Sequence, residues 1–201
     1  MLILKYILIV VCGYLLGSIS SSVLISKGLY RMDIRTKGSG NAGATNMARI
    51  FGMTSGLLTL GGDALKTVAA VFLGGWLAGG NGAALGGAAC VIGHCWPVFF
   101  RFKGGKGVTV GAVVALMIDW RIFLILAATF FAVFLASQIV SLCSVTVAFL
   151  LPVLCFVFQI PTAQCILGVF TGLLVIFQHR SNIVRLLHGE EKKFRPGKRQ
   201  K

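Results

Sequence analysis

Acidic side chains are almost missing: five Asp and Glu stand against 19 Lys and Arg in 201 residues, and only 12% of the chain is charged. So little charge cannot clothe a water-soluble domain of this length, which excludes that class. The six cysteines (Cys12, Cys90, Cys95, Cys143, Cys155 and Cys165) form no CxxC pair and no metal-ligand spacing. Each lies in or beside an apolar stretch and reads as a small apolar side chain. No metal and no cofactor is expected. No A-x-A-like cleavage site follows the apolar run at 6–25, which therefore reads as a retained first helix and not a signal peptide.

What the chain does have is apolar sequence from end to end, 57% of all residues. Backbone groups cannot stay unpaired in lipid, so the runs are expected to be helices. The expected fold is all-α: a polytopic integral membrane protein with seven transmembrane helices and one membrane-embedded domain over 1–201. The spans are placed at about Tyr6–Ile25, within Ser55–Ala78, Ala83–Phe100, Val108–Ile118, Ile122–Ile139, Val145–Phe158 and Ala163–Phe177. Val108–Ile118 is short for a full crossing. Gly75/Gly79 and Gly82/Gly86 have the GxxxG spacing of closely packed helices.

The basic residues set the sidedness. Sixteen of the 19 fall in loops at about 27–50 and 101–107 and in the tail at 179–201; only Lys5, Lys66 and Arg121 lie elsewhere. With a further turn at 140–144, these are the expected cytosolic segments, which leaves the N-terminus outside and the C-terminus cytosolic. Nucleic acid is not an expected partner, because the cations sit between apolar spans and not on a soluble face. Anionic lipid or an anionic substrate is.

Three of these segments are rich in groups that bind phosphate. The first is Gly38-Ser39-Gly40-Asn41-Ala42-Gly43-Ala44-Thr45-Asn46, followed by Arg49. Its glycines let successive N–H groups converge on an anion, and Ser39, Asn41, Thr45 and Asn46 add neutral donors. Thr45 or Asn46 also suits the cap of a following helix. No GK[ST] closes the string, so it is not a Walker A loop. The second is Phe102-Lys103-Gly104-Gly105-Lys106-Gly107, two point charges on a backbone open to close approach. Read alone, it also fits a short loop on the positive side. The third runs from His179 to Glu190; if helical, it sets His179 and Asn182 on one face with Arg185 adjacent. Alone, it also fits a juxtamembrane helix on anionic lipid.

Within the spans, Asp63 and Lys66 at i, i+3 read as a structural ion pair that shapes the site. His94 reads either as part of the site or as a donor to a backbone carbonyl. Ser141 and Ser144 sit where they contact a ligand or cap the sixth helix.

Taken together, the strings resemble one family, the bacterial acyl-phosphate glycerol-3-phosphate acyltransferases (the PlsY family). GSGNAGATN at 38–46 with Arg49, GHCWPVFFRFKGGKGV at 93–108 and HRSNIVRLLHGEE at 179–191 are similar to its three motifs in order. GYLLGSIS at 13–20 and GDALK at 62–66 match as well, so the resemblance runs nearly the whole chain. Ala42 and Ser20 stand where proline is common, and Thr109-Val110 replace the usual Ala-Thr.

The resemblance implies transfer of a fatty acyl group from acyl phosphate to the 1-hydroxyl of glycerol 3-phosphate. The products are lysophosphatidic acid and phosphate, in the first acylation of phospholipid biosynthesis at the bacterial inner membrane. It also implies a functional link to the enzyme that makes acyl phosphate. Expected catalytic residues are Ser39, Lys106 and His179. Expected binding residues are Gly38, Gly40, Asn41, Gly43, Thr45, Asn46, Arg49, Lys103, Ser144, Asn182 and Arg185. The rival classes are a transporter for a small anionic solute, whose site belongs near the midplane on broken helices, and a structural membrane subunit.

Overall fold

The computed structural model describes residues 2–195 and 197; Lys198, Arg199 and Lys201 of the expected basic tail lie outside them. Every regular element among the described residues is helical. The α-helices are α1 (Leu2–Ser18), α2 (Ser21–Tyr30), α3 (Ala44–Phe51), α4 (Met53–Cys95), α5 (Val108–Ile118), α6 (Trp120–Ser137), α7 (Val140–Val157), α8 (Thr162–Gln178) and α9 (Arg180–Leu187). Leu2–Tyr30, Met53–Phe100, Trp120–Ser137 and Val140–Val157 are long and apolar enough to cross a bilayer. Thr162–Gln178 and Arg180–Leu187 meet the same length and hydropathy only when taken together, and they are bent by 59° at the break between them. Large side chains such as Phe72, Trp76 and Leu135 point outward with more than two thirds of their surface exposed, the inverse of a soluble protein. The chain is an integral membrane protein.

Helix α4 is a hairpin of two antiparallel arms, broken at Ala78 and Gly79. The turn at Gly79 needs a positive φ of 61°, where only glycine sits without strain. Behind the turn, small residues let the backbones touch. A methyl group at Gly74 would strike the Gly82 carbonyl, and one at Gly86 would lie 2.5 Å from the Ala70 oxygen. The sequence placed Gly79 in a packing pair, but it is the turn, and Gly74 does the packing. Helix α1 lies in the same groove, with Gly17 against the Cys90 backbone. Gly17→Val therefore destabilises the fold by about 1–3 kcal/mol or more, read as a lower melting temperature in detergent.

Three apolar clusters fix the rest. Cys90, Val91, Val110, Val114 and Leu167 tie α4 to α5 and α8. Ala115, Ile122, Leu126, Leu151 and Cys155 tie α5, α6 and α7 together. Val23, Ile34, Ala42, Met47 and Phe51 close the end bearing the first polar segment, with the Tyr30 and Phe51 rings stacked at 4.1 Å. The cysteines in these clusters pack as the apolar side chains the sequence suggested.

Three boundaries differ from expectation. The first run is two helices, because Ser20 is extended and breaks it; the freed Ile19 carbonyl accepts from Lys66 Nζ at 2.7 Å. Residues 140–144 are the first turn of α7 and not a loop, since the chain reverses at Gln138, whose φ is 59°. Finally, the helix of the third segment begins at Arg180. His179 ends α8, and the axis turns there, so His179 and Asn182 do not share a helix face.

Candidate active site

A single cavity of about 1390 Å³ receives all three polar segments. At its polar end lie the 38–45 loop, Arg49, Lys106, His179, Asn182, Arg185 and Glu191. From there it runs into an apolar groove walled by Phe123, Phe130 and Phe134 of α6 and Val147 and Leu151 of α7.

The first segment is a loop that folds around one buried amide. Asn46, 1% exposed, takes the Ser39 N–H on Oδ1 at 3.1 Å. Its Nδ2 donates to the carbonyls of Lys37 and Asn41, both at 3.0 Å. Asn46 lines the cavity, as a binding residue would, but its amide is already bonded to the backbone of the loop. The cap of α3 is Gly43, and neither Thr45 nor Asn46. Gly38 and Gly40 have φ of 58° and 72°, so the loop closes only with glycine there. Closure leaves Ser39, Asn41 and Thr45 lining the cavity beside the start of α3, where the Ala44 and Thr45 N–H groups have no helical partner, while those of Asn46 and Met47 donate to the Gly43 carbonyl. Asp33 holds the approach, capping a 3-10 turn at Ile34–Thr36 and gripping Arg35, whose guanidinium keeps the Asp33 carboxyl well below its ordinary pKa.

The second segment contributes one lysine. Lys106 lines the cavity and donates to Asn182 Oδ1. Lys103, expected to bind substrate, is exposed and outside the cavity. Burial pulls the Lys106 ammonium below its usual pKa, and Glu191 works against that pull.

The third segment is organised by a residue that was not expected to matter. Glu191 accepts from Ser141 Oγ at 2.7 Å, Asn182 Nδ2 at 2.6 Å and Arg185 Nε at 2.6 Å. One carboxylate thus ties the tail to α7 and α9 and fixes the Asn182 amide with its oxygen toward Lys106. Burial alone would raise the Glu191 pKa, but these hydrogen bonds and the Arg185 charge outweigh it, and the net shift is downward. The scarcity of acids in the sequence was the available signal, since each buried one has to be paired. Ser144 lines the cavity, but its hydroxyl donates to the Val140 carbonyl at 2.8 Å.

His179, 3% exposed, donates from Nδ1 to the Val175 carbonyl at 2.8 Å, since that oxygen can only accept. Nε2 is then left as the acceptor, and it makes no hydrogen bond among the described residues.

The comparisons with known proteins fit this geometry. Residues 7–189 match the family model described as glycerol-3-phosphate acyltransferase. The chain belongs to the glycerol-3-phosphate acyltransferase family. A member from Thermoanaerobacter pseudethanolicus is 40% identical over 187 residues, covering 93% of this chain and 94% of that one. One from Syntrophomonas wolfei is 42% identical over 190 residues, covering 92% and 95%. A crystal structure of PlsY (YgiH), an integral membrane glycerol 3-phosphate acyltransferase in its glycerol 3-phosphate form, superposes with a TM-score of 0.89. It is 36% identical, over 94% of this chain and 96% of that one. The lysophosphatidic acid form of the same enzyme gives 0.87 and 34%, over 94% and 95%. The PlsY resemblance is thereby established, and the chain is an acyltransferase of phospholipid biosynthesis.

Proposed function

We propose that the chain transfers a fatty acyl group from acyl phosphate to the 1-hydroxyl of glycerol 3-phosphate, releasing inorganic phosphate. The observation that carries this reading is the shape of the cavity, which joins a cationic, amide-lined end to an apolar groove between α6 and α7. One substrate is a phosphate with a long chain and the other a phosphate without one, and a site of this form suits both.

In this reading, the 38–45 loop and the first turn of α3 cradle the phosphate of the acyl donor, with Ser39 donating to it. Arg49, Lys106 and Asn182 hold the phosphate of glycerol 3-phosphate, with Arg185 beside them. The 1-hydroxyl oxygen attacks the acyl carbon while its proton passes to His179 Nε2. The bond from that carbon to the phosphate oxygen breaks, and phosphate leaves with the electron pair and then takes the proton from His179. The mixed anhydride is already activated, so no acyl-enzyme is needed. Lys106 and the loop N–H groups stabilise charge that grows on the carbonyl oxygen and the leaving phosphate. The acyl chain rests in the α6–α7 groove, open to lipid.

The same reading places seven crossings: α1 with α2, the two arms of α4, α5, α6, α7 and α8. The N-terminus faces outward, and the site opens to the cytosol of a bacterial inner membrane. The positive-inside distribution of 16 of 19 basic residues supports this. An enzyme that makes acyl phosphate is the functional partner. The test is donor choice: purified protein with glycerol 3-phosphate forms lysophosphatidic acid from palmitoyl phosphate and none from palmitoyl-CoA. Equal or better transfer from the thioester would overturn the donor assignment.

A further inference from the structure

The strings at 13–20 and 62–66 take no part in the reaction above, yet buried charge is committed beside them. Asp63, Lys66 and His94 are 1%, 5% and 6% exposed. Lys66 Nζ lies 2.9 Å from Asp63 Oδ1, 2.7 Å from the Ile19 carbonyl and 3.1 Å from His94 Nδ1. Asp63 Oδ1 also accepts from Ser21 Oγ at 3.0 Å. An ammonium has three donors and no acceptor, so His94 Nδ1 must accept and the ring proton sits on Nε2. His94 is therefore not turned to a backbone carbonyl, as one sequence reading had it.

The far side of that ring meets the site. Gly105 donates its N–H to the His94 carbonyl at 3.1 Å. A methyl group on Gly105 would strike His94 Nε2 and lie 3.1 Å from the Ala42 oxygen. Gly105 thus lies against both the imidazole and the first segment, so the ring backs the point where the two loops meet. A buried ion pair is weak evidence for stability, because well-packed apolar side chains do as well. What apolar side chains cannot do is hold a ring in one tautomer and one orientation.

We infer that Asp63, Lys66 and His94 form a positioning device that sets the spacing of the two phosphate loops and so the placement of Lys106. This rests on the reading that Lys106 binds glycerol 3-phosphate. It adds three positioning residues on α4, tied to the break between α1 and α2 through Ile19 and Ser21.

The test is steady-state kinetics on purified protein with palmitoyl phosphate and glycerol 3-phosphate, with melting temperatures beside them. His94→Leu removes both ring nitrogens, and the paired change Asp63→Asn with Lys66→Met removes both charges, so that neither is left alone. Each is expected to raise KM for glycerol 3-phosphate at least about tenfold through misplacement of the loop, while KM for the acyl donor stays within about threefold. Together they do no more than the stronger one alone, because they act as one unit. His94→Gln, which restores an N–H near Nε2, recovers most of the loss. A lowered melting temperature with wild-type KM values, or equal rises in both KM values, would overturn the inference. Should the charge-removing variants fail to fold, Lys66→Arg decides: a fork-shaped cation cannot keep all three contacts, so the same selective rise is expected, and wild-type KM overturns it. Failure of the wild type itself to use these substrates would instead sink the proposed function.

Discussion

Lys106→Met is expected to lower kcat/KM for acyl transfer at least about a hundredfold while leaving the fold intact. Among the described residues the hydrogen-bond partner of the Lys106 ammonium is a neutral amide, Asn182, and the carboxylate of Glu191 is already engaged by Ser141, Asn182 and Arg185. The lysine therefore carries positive charge that no neighbour neutralises directly, at the polar end of a cavity it shares with Arg49. Four of the five acids in the chain are held in structural contacts: Asp33 with Arg35, Asp63 with Lys66, Asp119 with Arg121, and Glu191 with Arg185. An anionic substrate is what completes such a site. Because Lys106 is half-buried and desolvated, methionine fills its stem without leaving a void, and melting temperature separates lost chemistry from lost structure. Activity within threefold of wild type would remove Lys106 from the site.

Asn46→Asp is expected to inactivate the protein by a different route, through collapse of the first loop. The substitution keeps size and shape but deletes the two N–H donors. The carbonyls of Lys37 and Asn41, both 3.0 Å from Nδ2, would then face a carboxylate. Each buried acceptor left without a donor costs about 1–3 kcal/mol, and the added buried charge costs more. Loss of at least about 3 kcal/mol, seen as a lower melting temperature together with loss of turnover, is expected. Asn46→Ala should inactivate too, which a ligand-binding role would also give; the drop in stability on Asn46→Asp is what marks an internal strut.

The contrast between these residues indicates what was legible in the sequence. That the three segments are rich in phosphate-binding groups, and that they belong together, could be read directly, because glycine, lysine and asparagine in loops on one side of apolar spans have few other uses. Which side chain faces in could not. Lys103 and Lys106 are chemically equivalent in the string, and only the folded chain separates them, with Lys103 exposed and Lys106 lining the cavity. Asn46 looked like a donor to ligand because the sequence does not say that a chain reversal at Gly38 brings three backbone groups onto its amide. His179 looked helical with Asn182, but its own ring closes α8 on the Val175 carbonyl and the axis turns there. Glu191 went unnoticed because a glutamate in a basic tail reads as solvated. The helical runs themselves were clear, but the break at Ser20 was not: it depends on Lys66, 46 residues away, taking the Ile19 carbonyl.

The claim on which the account depends is that glycerol 3-phosphate attacks acyl phosphate directly, inside one cavity built from three segments. Single-turnover reaction of excess protein with acyl-labelled palmitoyl phosphate tests it most directly. With glycerol 3-phosphate present, the label should pass to lysophosphatidic acid with one phosphate released per acyl group, and acid-quenched protein should carry none. Without glycerol 3-phosphate, no phosphate should be released. Label retained on denatured protein, or a burst of phosphate in the absence of the acceptor, would contradict the account.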